Sequence, residues 1–299
     1  MDQLQAIRAF ARVVEAGSFT KAADTLGMPN ATLTKAVQAL EAHLRIKLLQ
    51  RTTRRVSVTP EGGQYYEKTQ RLLKELDDVD ASFSAAQSRP RGHLRVDLGS
   101  STASLVLLPA LPAFLARYPD IRIDLGVSDK HVNLIGDNVD CVIRGGELTD
   151  LSLIGRQVGS TSWVTCATPA YLRDHGTPRH PAELEQGHVV VHYLSTRTGR
   201  GMPLNFAKQG ERLEILGERS VGVNESNAHV AAGLAGLGVM QTFRHAAAPH
   251  IASGALVPIL DDWQPARYPF YVVYPSKRYV SSRLRVFIDW TADLFAALE

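Results

Sequence analysis

The chain has only two cysteines in 299 residues, Cys141 and Cys166. Two thiols are too few for a disulfide framework or a zinc site. Both lie in apolar, strand-like runs, which predicts buried, reduced thiols. No apolar run approaches the ~18 residues of a membrane span, so no membrane contact is expected. The N-terminus MDQLQAIRAF lacks the basic-then-apolar layout of a secretory leader, and the expected location is the cytoplasm. Common catalytic signatures are missing too: there is no H-E-x-x-H, no G-x-S-x-G and no G-x-x-x-x-G-K-S/T. Gly233, Gly236 and Gly238 have the wrong spacing for a dinucleotide fingerprint and read as a helix end entering a strand. The histidines (His131, His175, His180, His188, His192 and His245 among them) show no ligand spacing. The expectation is a protein that is not an enzyme and holds no metal or cofactor.

What is present begins with charge. The net charge of +3 is mild but uneven. Residues 1–62 hold nine Lys/Arg and five Asp/Glu, a balance of +4, and the remainder carries −1. A basic N-terminal unit on a neutral body suggests that only this unit meets a polyanion.

Within that unit, Leu4 to Ala16 reads as a helix ended by Gly17. Ser18 can cap a second, from about Thr20 to Leu26, which Gly27 closes. Asn30 to Leu44 is the third. At 100° per residue, Leu33, Val37, Leu40 and Leu44 form one apolar stripe. Ala31, Thr34, Lys35 and Gln38 gather opposite, on a face with no carboxylate. Short and donor-rich side chains suit a DNA major groove, although a solvated surface face would look similar. Alternation in Lys47–Arg51 and Val56–Thr59, around a basic turn, predicts a β-hairpin wing with Arg51, Arg54 and Arg55 at its tip.

The run GSFTKAADTLGMPNATLTKAVQALEAHLRIKLLQRTTRRVSVTPEG resembles the winged helix-turn-helix of LysR-type transcriptional regulators. The resemblance implies double-stranded DNA as a partner, with Asn30, Ala31, Thr34 and Lys35 at base- and phosphate-contacting positions and Arg51 and Arg54 on the wing. Ser18, Thr20, Thr32, Gln38 and Arg55 complete the candidate set. Pro29-Asn30-Ala31 and Thr34-Lys35 depart from the family's common Ser and Gln pattern and its Ser-Arg pair. Lys35 lacks the fork of an arginine. Pro29 cannot cap the helix as Ser would, so Asn30 is expected as the cap.

Thr59-Pro60-Glu61 opens a further helix, expected to reach about Ala86. Tyr65, Thr69, Leu72, Leu76, Val79 and Phe83 repeat in heptad register, a dimer seam or a face packed on its own domain. Residues 88–92 read as a hinge. Beyond them strands and helices alternate as βαβ units, which predicts a mainly parallel sheet in two α/β lobes. LRVDLGSS, VDCVIRGGEL, CATPAYLRDHG and GLAGLGVMQTF resemble the LysR effector domain, of type 2 periplasmic-binding-protein fold. The fold class is thus α/β with a helix-rich N-terminal part. The domains read as 1–59 (winged helix-turn-helix), 60–87 (dimerisation helix), 88–92 (hinge) and 93–299 (effector domain). Lobe I takes about 93–162 and 266–299, lobe II about 163–265.

Ligands of open α/β folds sit beyond the C-terminal strand ends. That nominates Ser100, Ser101, Thr102, Ser128, Gly145 and Gly146 from lobe I, and Ser195, Thr196, Asn224 and Phe243 from lobe II. Ser100 to Thr102 precede a helix, where they would cap it or receive an anion. Trp163, near a crossing between lobes, is expected to pack the hinge. The resemblance implies a small-molecule effector, anionic or aromatic, a homodimer building to a homotetramer, and contact with RNA polymerase. Two rivals stay open on the sequence alone: an enzyme using the α/β cleft, and a ligand-independent DNA-binding protein.

Overall fold

A computed structural model of the chain describes residues 2–51, 56–84, 89–130, 139–146, 153–275 and 280–297, without the side chains of 51, 71, 74, 75 and 77–84. The chain divides into two compact units, 1–87 and 88–299.

The first unit opens with α1 (Gln3–Ala16), α2 (Phe19–Leu26) and α3 (Asn30–Leu44). Asp2 accepts the Gln5 N–H and Ser18 the Lys21 N–H, so each of the first two helices starts on a side-chain cap. Gly17 and Gly27 end them with left-handed backbone. α3 differs from expectation. Its cap position is Pro29, which offers no acceptor, and Asn30 is already the first helical residue. The Asn30 amide instead donates to Thr20 Oγ1 at 3.4 Å, tying α3 to α2. Leu33, Val37 and Leu40 are fully buried, against Phe10, Val13, Ala22 and Ala23.

β1 (Leu49–Arg51) and β2 (Val56–Val58) form the antiparallel wing. α4 (Pro60–Ser84) follows, with Thr59 Oγ1 accepting the Gly62 N–H at 2.9 Å. The heptad seam is not uniform. Tyr65 packs on Phe10 with ring centroids 5.9 Å apart, and Thr69 is buried. These two positions serve their own domain, because α4 lies against α1 at this end. Leu72 is 62% exposed and Leu76 half-buried. The side chains of Val79 and Phe83, and the helix end expected at 85–86, lie outside the described residues.

In the second unit the chain runs β3 (Gly92–Leu98), α5 (Ser100–Thr102), a π-helical turn (Ala103–Leu107), α6 (Leu108–Arg117), β4 (Ile121–Val127), β5 (Cys141–Gly145) and β6 (Leu153–Thr161). Residues 131–138, between β4 and β5, lie outside the described residues. Ser100 to Thr102, expected to precede a helix, already belong to it: backbone winds without a break from Ser100 to Arg117. Its wide π turn falls where Pro109 removes the N–H that the Leu105 carbonyl would take. By length and composition this helix could cross a membrane, yet Ala103, Val106, Leu107 and Phe114 are buried in the core of lobe I.

β7 (Trp163–Ala167) enters lobe II, followed by α7 (Pro169–His175), a 3-10 turn (Pro181–Glu185), β8 (Val189–Tyr193), β9 (Leu204–Lys208), β10 (Glu211–Ile215), β11 (Glu218–Val223), α8 (Ser226–Leu234), β12 (Met240–Phe243), α9 (Arg244–Ala252) and β13 (Val257–Ile259). β14 (Tyr268–Pro275) and α10 (Ser282–Ala296) return to lobe I.

The sheets are mixed rather than mainly parallel. Lobe I has strand order β4-β3-β5-β14-β6; β3 pairs in parallel with both neighbours, while β14 runs antiparallel to β5 and β6. The antiparallel half consists of the two strands that connect to lobe II. Lobe II pairs β12-β7-β13 antiparallel and β8-β11 in parallel. Four elements escaped the sequence reading: β6, β9, α9 and β13. β6 is an edge strand with two glycines and a mostly exposed face, so it carries little alternation. α9 contains Pro249 and β13 has only three residues. β9 had a signal, since Gln209 and Gly210 both turn with positive φ as in a tight hairpin.

Candidate nucleic-acid interface and inter-lobe cleft

On the outer side of α3, Asn30, Ala31, Thr32, Lys35 and Gln38 are exposed and Thr34 is half-buried; Thr20 is exposed beside them and Ser18 is engaged as a cap. The one acidic residue of α3, Glu41, points the other way. It is buried, its Oε1 accepts the N–H groups of Leu48 and Leu49 at 3.0 and 3.1 Å, and its Oε2 meets Lys47 Nζ at 2.8 Å. Burial pushes this carboxyl up, but Lys47 and the two backbone donors outweigh it and hold it below the usual range. Glu41 therefore does two things. It keeps negative charge off the outer face, and it clamps the first wing strand to α3. Sequence reading missed this residue, because a lone Glu on a helix resembles a solvated one. Arg51 ends β1 opposite Val56. Arg54 and Arg55 lie outside the described residues.

In the second unit, two helices from different lobes bring their N-terminal ends together. Ser100 begins the lobe I helix and Ser226 begins α8 in lobe II. The Ser101 N–H donates to Ser226 Oγ at 2.9 Å, across the gap. Between the ends lies Asp129, from the loop after β4. Its Oδ1 accepts the Ser100 N–H at 2.7 Å; its Oδ2 accepts the Ser226 N–H at 2.5 Å and the Tyr193 hydroxyl at 3.2 Å. Burial and then the Asp129 charge push the Tyr193 phenol up, so it stays a donor. Arg144 fixes the loop, donating to the carbonyls of Ser128 and Lys130 at 3.0 and 2.6 Å and to the Asp97 carboxylate at 2.6 Å.

These contacts sort the nominated residues. Ser100, Ser101 and Thr102 are buried at the cleft but do not cap their helix, whose cap position is Gly99; the carboxylate arrives from Asp129. The Ser128 hydroxyl accepts the Lys130 N–H within its own turn. Gly145 and Gly146 lie beneath Tyr268, whose ring occupies the space a Cβ would need. Ser195 stabilises a turn by accepting the Thr198 N–H, Thr196 is half-buried in that turn, and Asn224 is exposed. Phe243 packs at a tilt against Trp163 and Tyr268, with ring centroids 4.6 and 5.3 Å away, where the chain crosses between lobes. Trp163 packs there as expected. His245 joins this cluster, bonded to Thr161 Oγ1 at 3.1 Å, and burial lowers its pKa to about 4. Cys141 and Cys166 are both buried, and burial raises the Cys166 thiol to about 12, an unreactive state. Asp129, Tyr193 and Ser226 escaped the sequence reading. The signal for Asp129 was available, as the neighbour of Ser128 at a strand's C-terminal end.

Known proteins place both units. Residues 4–63 match the family model described as bacterial regulatory helix-turn-helix protein, lysR family, and residues 87–296 the one described as LysR substrate binding domain. An HTH-type transcriptional repressor of Pseudomonas aeruginosa is 38% identical over 296 residues, covering 99% of this chain and 93% of its own. The structure of CrgA, a LysR-type transcriptional regulator from Neisseria meningitidis, aligns with a TM-score of 0.62 at 32% identity, over 97% of this chain and 98% of that one. The full-length Vibrio cholerae virulence activator AphB aligns with a TM-score of 0.61 at 28% identity, over 97% and 98%. With both units matched and relatives similar from end to end, the chain belongs to the LysR family of helix-turn-helix transcriptional regulators.

Proposed function

We propose that this regulator sets α3 in a DNA major groove, with Asn30, Ala31, Thr32, Thr34, Lys35 and Gln38 toward bases and phosphates. Ser18 and Thr20 flank it, and Arg51, Arg54 and Arg55 of the wing reach the adjoining backbone or minor groove. The observation that carries this is the exposed, carboxylate-free outer face of α3, held to the wing from behind by Glu41. A small-molecule effector between the lobes shifts how the subunits engage two-fold half-sites. Relatives named as a repressor and as an activator show that one architecture serves both outcomes.

Self-association is part of the reading. Leu72 and Leu76 on α4 support helix pairing, with Val79 and Phe83 continuing the heptad. Leu105, Leu108 and Leu115 leave an exposed apolar stripe along the lobe I helix, which supports pairing of effector domains into a tetramer. The protein acts in the cytoplasm, where DNA and RNA polymerase are available.

Fluorescence anisotropy on DNA from upstream of the protein's own coding sequence tests the docking. Binding should weaken steeply with salt, and Lys35→Ala and Arg54→Ala should each reduce the slope of log K against log salt by about 1 per lost contact. Salt-independent binding, or unchanged affinity in both variants, sinks the docking.

A further inference from the structure

We propose that Asp129 is a tethered anion filling the seat that two helix ends would offer an acidic ligand, so that this cleft selects neutral or cationic hydrogen-bond donors. The proposal rests on the reading of the cleft as the effector site. Helix N-termini present unsatisfied N–H groups and partial positive charge, a natural seat for a carboxylate. Two of them face each other here, from the two lobes, and the seat is taken. One carboxylate bonds the Ser100 N–H, the Ser226 N–H and the Tyr193 hydroxyl at 2.7, 2.5 and 3.2 Å.

The surroundings are shaped to hold it. Gly99 precedes Ser100, and a Cβ there would stand 3.0 Å from Asp129 Oδ1. Arg144 grips the carbonyls on both sides of Asp129, which keeps the loop from swinging out. The same Arg144 is ion-paired with buried Asp97, so its charge is already matched. Glu225 brings a second carboxylate to the start of α8, accepting the N–H groups of Asn227 and Ala228 at 3.0 and 2.7 Å. A free carboxylate entering at this point would meet two like charges and helix N–H groups already in use. A neutral or cationic donor meets no such repulsion. Three of the roughly four acceptor positions of Asp129 are used, which leaves one for it. Because Ser100 belongs to lobe I while Tyr193 and Ser226 belong to lobe II, the same carboxylate also latches the lobes. Opening the cleft breaks the Tyr193 and Ser226 bonds together with the Ser101-to-Ser226 bond.

Thermal unfolding of the full-length protein, in sodium formate and in sodium chloride at matched ionic strength, tests this. Asp129→Ala deletes a carboxylate of formate's size. The variant should melt below the wild type, and about 0.1 M formate should raise its Tm about 3 °C or more above the chloride value. The wild type should show no formate-specific rise. Should Asp129→Ala fail to fold, Asp129→Ser, whose hydroxyl can cap one helix end itself, carries the same comparison. A formate-specific rise in the wild type equal to the variant's overturns the proposal, as does a variant with no formate-specific recovery. DNA binding of the same wild-type sample tests the regulator reading separately, since its loss would leave the formate comparison standing.

Discussion

Single residues decide the chemistry at both ends of the chain. Glu41 is the clearest case. It lies on α3 yet is 6% exposed, with every bond directed at the start of the wing. Removing one partner of a buried, charged hydrogen-bond set costs about 1–3 kcal/mol, so Glu41→Gln should lower the heat stability of the N-terminal unit by that amount and weaken DNA binding through a loosened wing. The pH dependence has a definite sign. The folded-state pKa is held below the usual carboxylate value, so the stabilisation is present at and above that value and is lost as pH falls through the lowered one. Acid titration followed by circular dichroism should show a flatter acid limb in Glu41→Gln than in the wild type. Identical limbs would remove Glu41 from this role. The heptad and face periodicities said nothing of Glu41, because its partners Leu48 and Leu49 come from the wing.

At the scale of elements, what could be read in advance follows the strength of local signals. α3 falls on Asn30–Leu44 as its period and the following turn predict. The wing pairs Leu49 with Val58 and Arg51 with Val56, as alternation around a basic turn requires. The heptad of α4 was legible as a period, but not which of its positions would be free. Tyr65 and Thr69 turn into their own domain, and the exposed seam opens at Leu72. Burying a leucine in a partner helix contributes about 1.5–3 kcal/mol. Leu72→Glu should therefore weaken dimerisation about tenfold or more in analytical ultracentrifugation while leaving helix content unchanged. An unaltered dimer would assign Leu72 to the solvated face. β6 was invisible for the opposite reason: an edge strand needs no apolar alternation, and its pairing with β14 supplies the order.

For the whole molecule, the exposed stripe of Leu105, Leu108 and Leu115 is, like Leu72, apolar surface that a monomer leaves unused. The opposite side of the same helix is committed to the lobe I core through Val106, Leu107 and Phe114. If the tetramer proposed above pairs through this stripe, the doubly substituted Leu105→Glu, Leu108→Glu protein should run as a dimer in light scattering, at half the mass of the wild type at equal concentration. A tetramer surviving both changes would place the second interface elsewhere. The cleft belongs to this scale too. The strand-end rule nominated Ser100 to Thr102 as ligand-facing; they are buried where the lobes meet, and the rule could not reveal that Asp129 reaches the Ser100 N–H from 29 residues away.

Short-range patterns determined the three N-terminal helices, the wing, the long α4 and most strands of the two lobes, because period, caps and turn residues act within a few positions. Charge asymmetry between the first 62 residues and the rest marked the unit that meets DNA. Only the tertiary structure decided which polar groups are already spoken for. Glu41 faces inward because its N–H and ammonium partners lie behind α3. Gly145 and Gly146 are covered because Tyr268 returns over them from the far end of the chain. The cleft carries its own carboxylate because two loops distant in sequence bring Asp129 between two helix ends. Hydrogen bonds of that reach leave no period in a sequence.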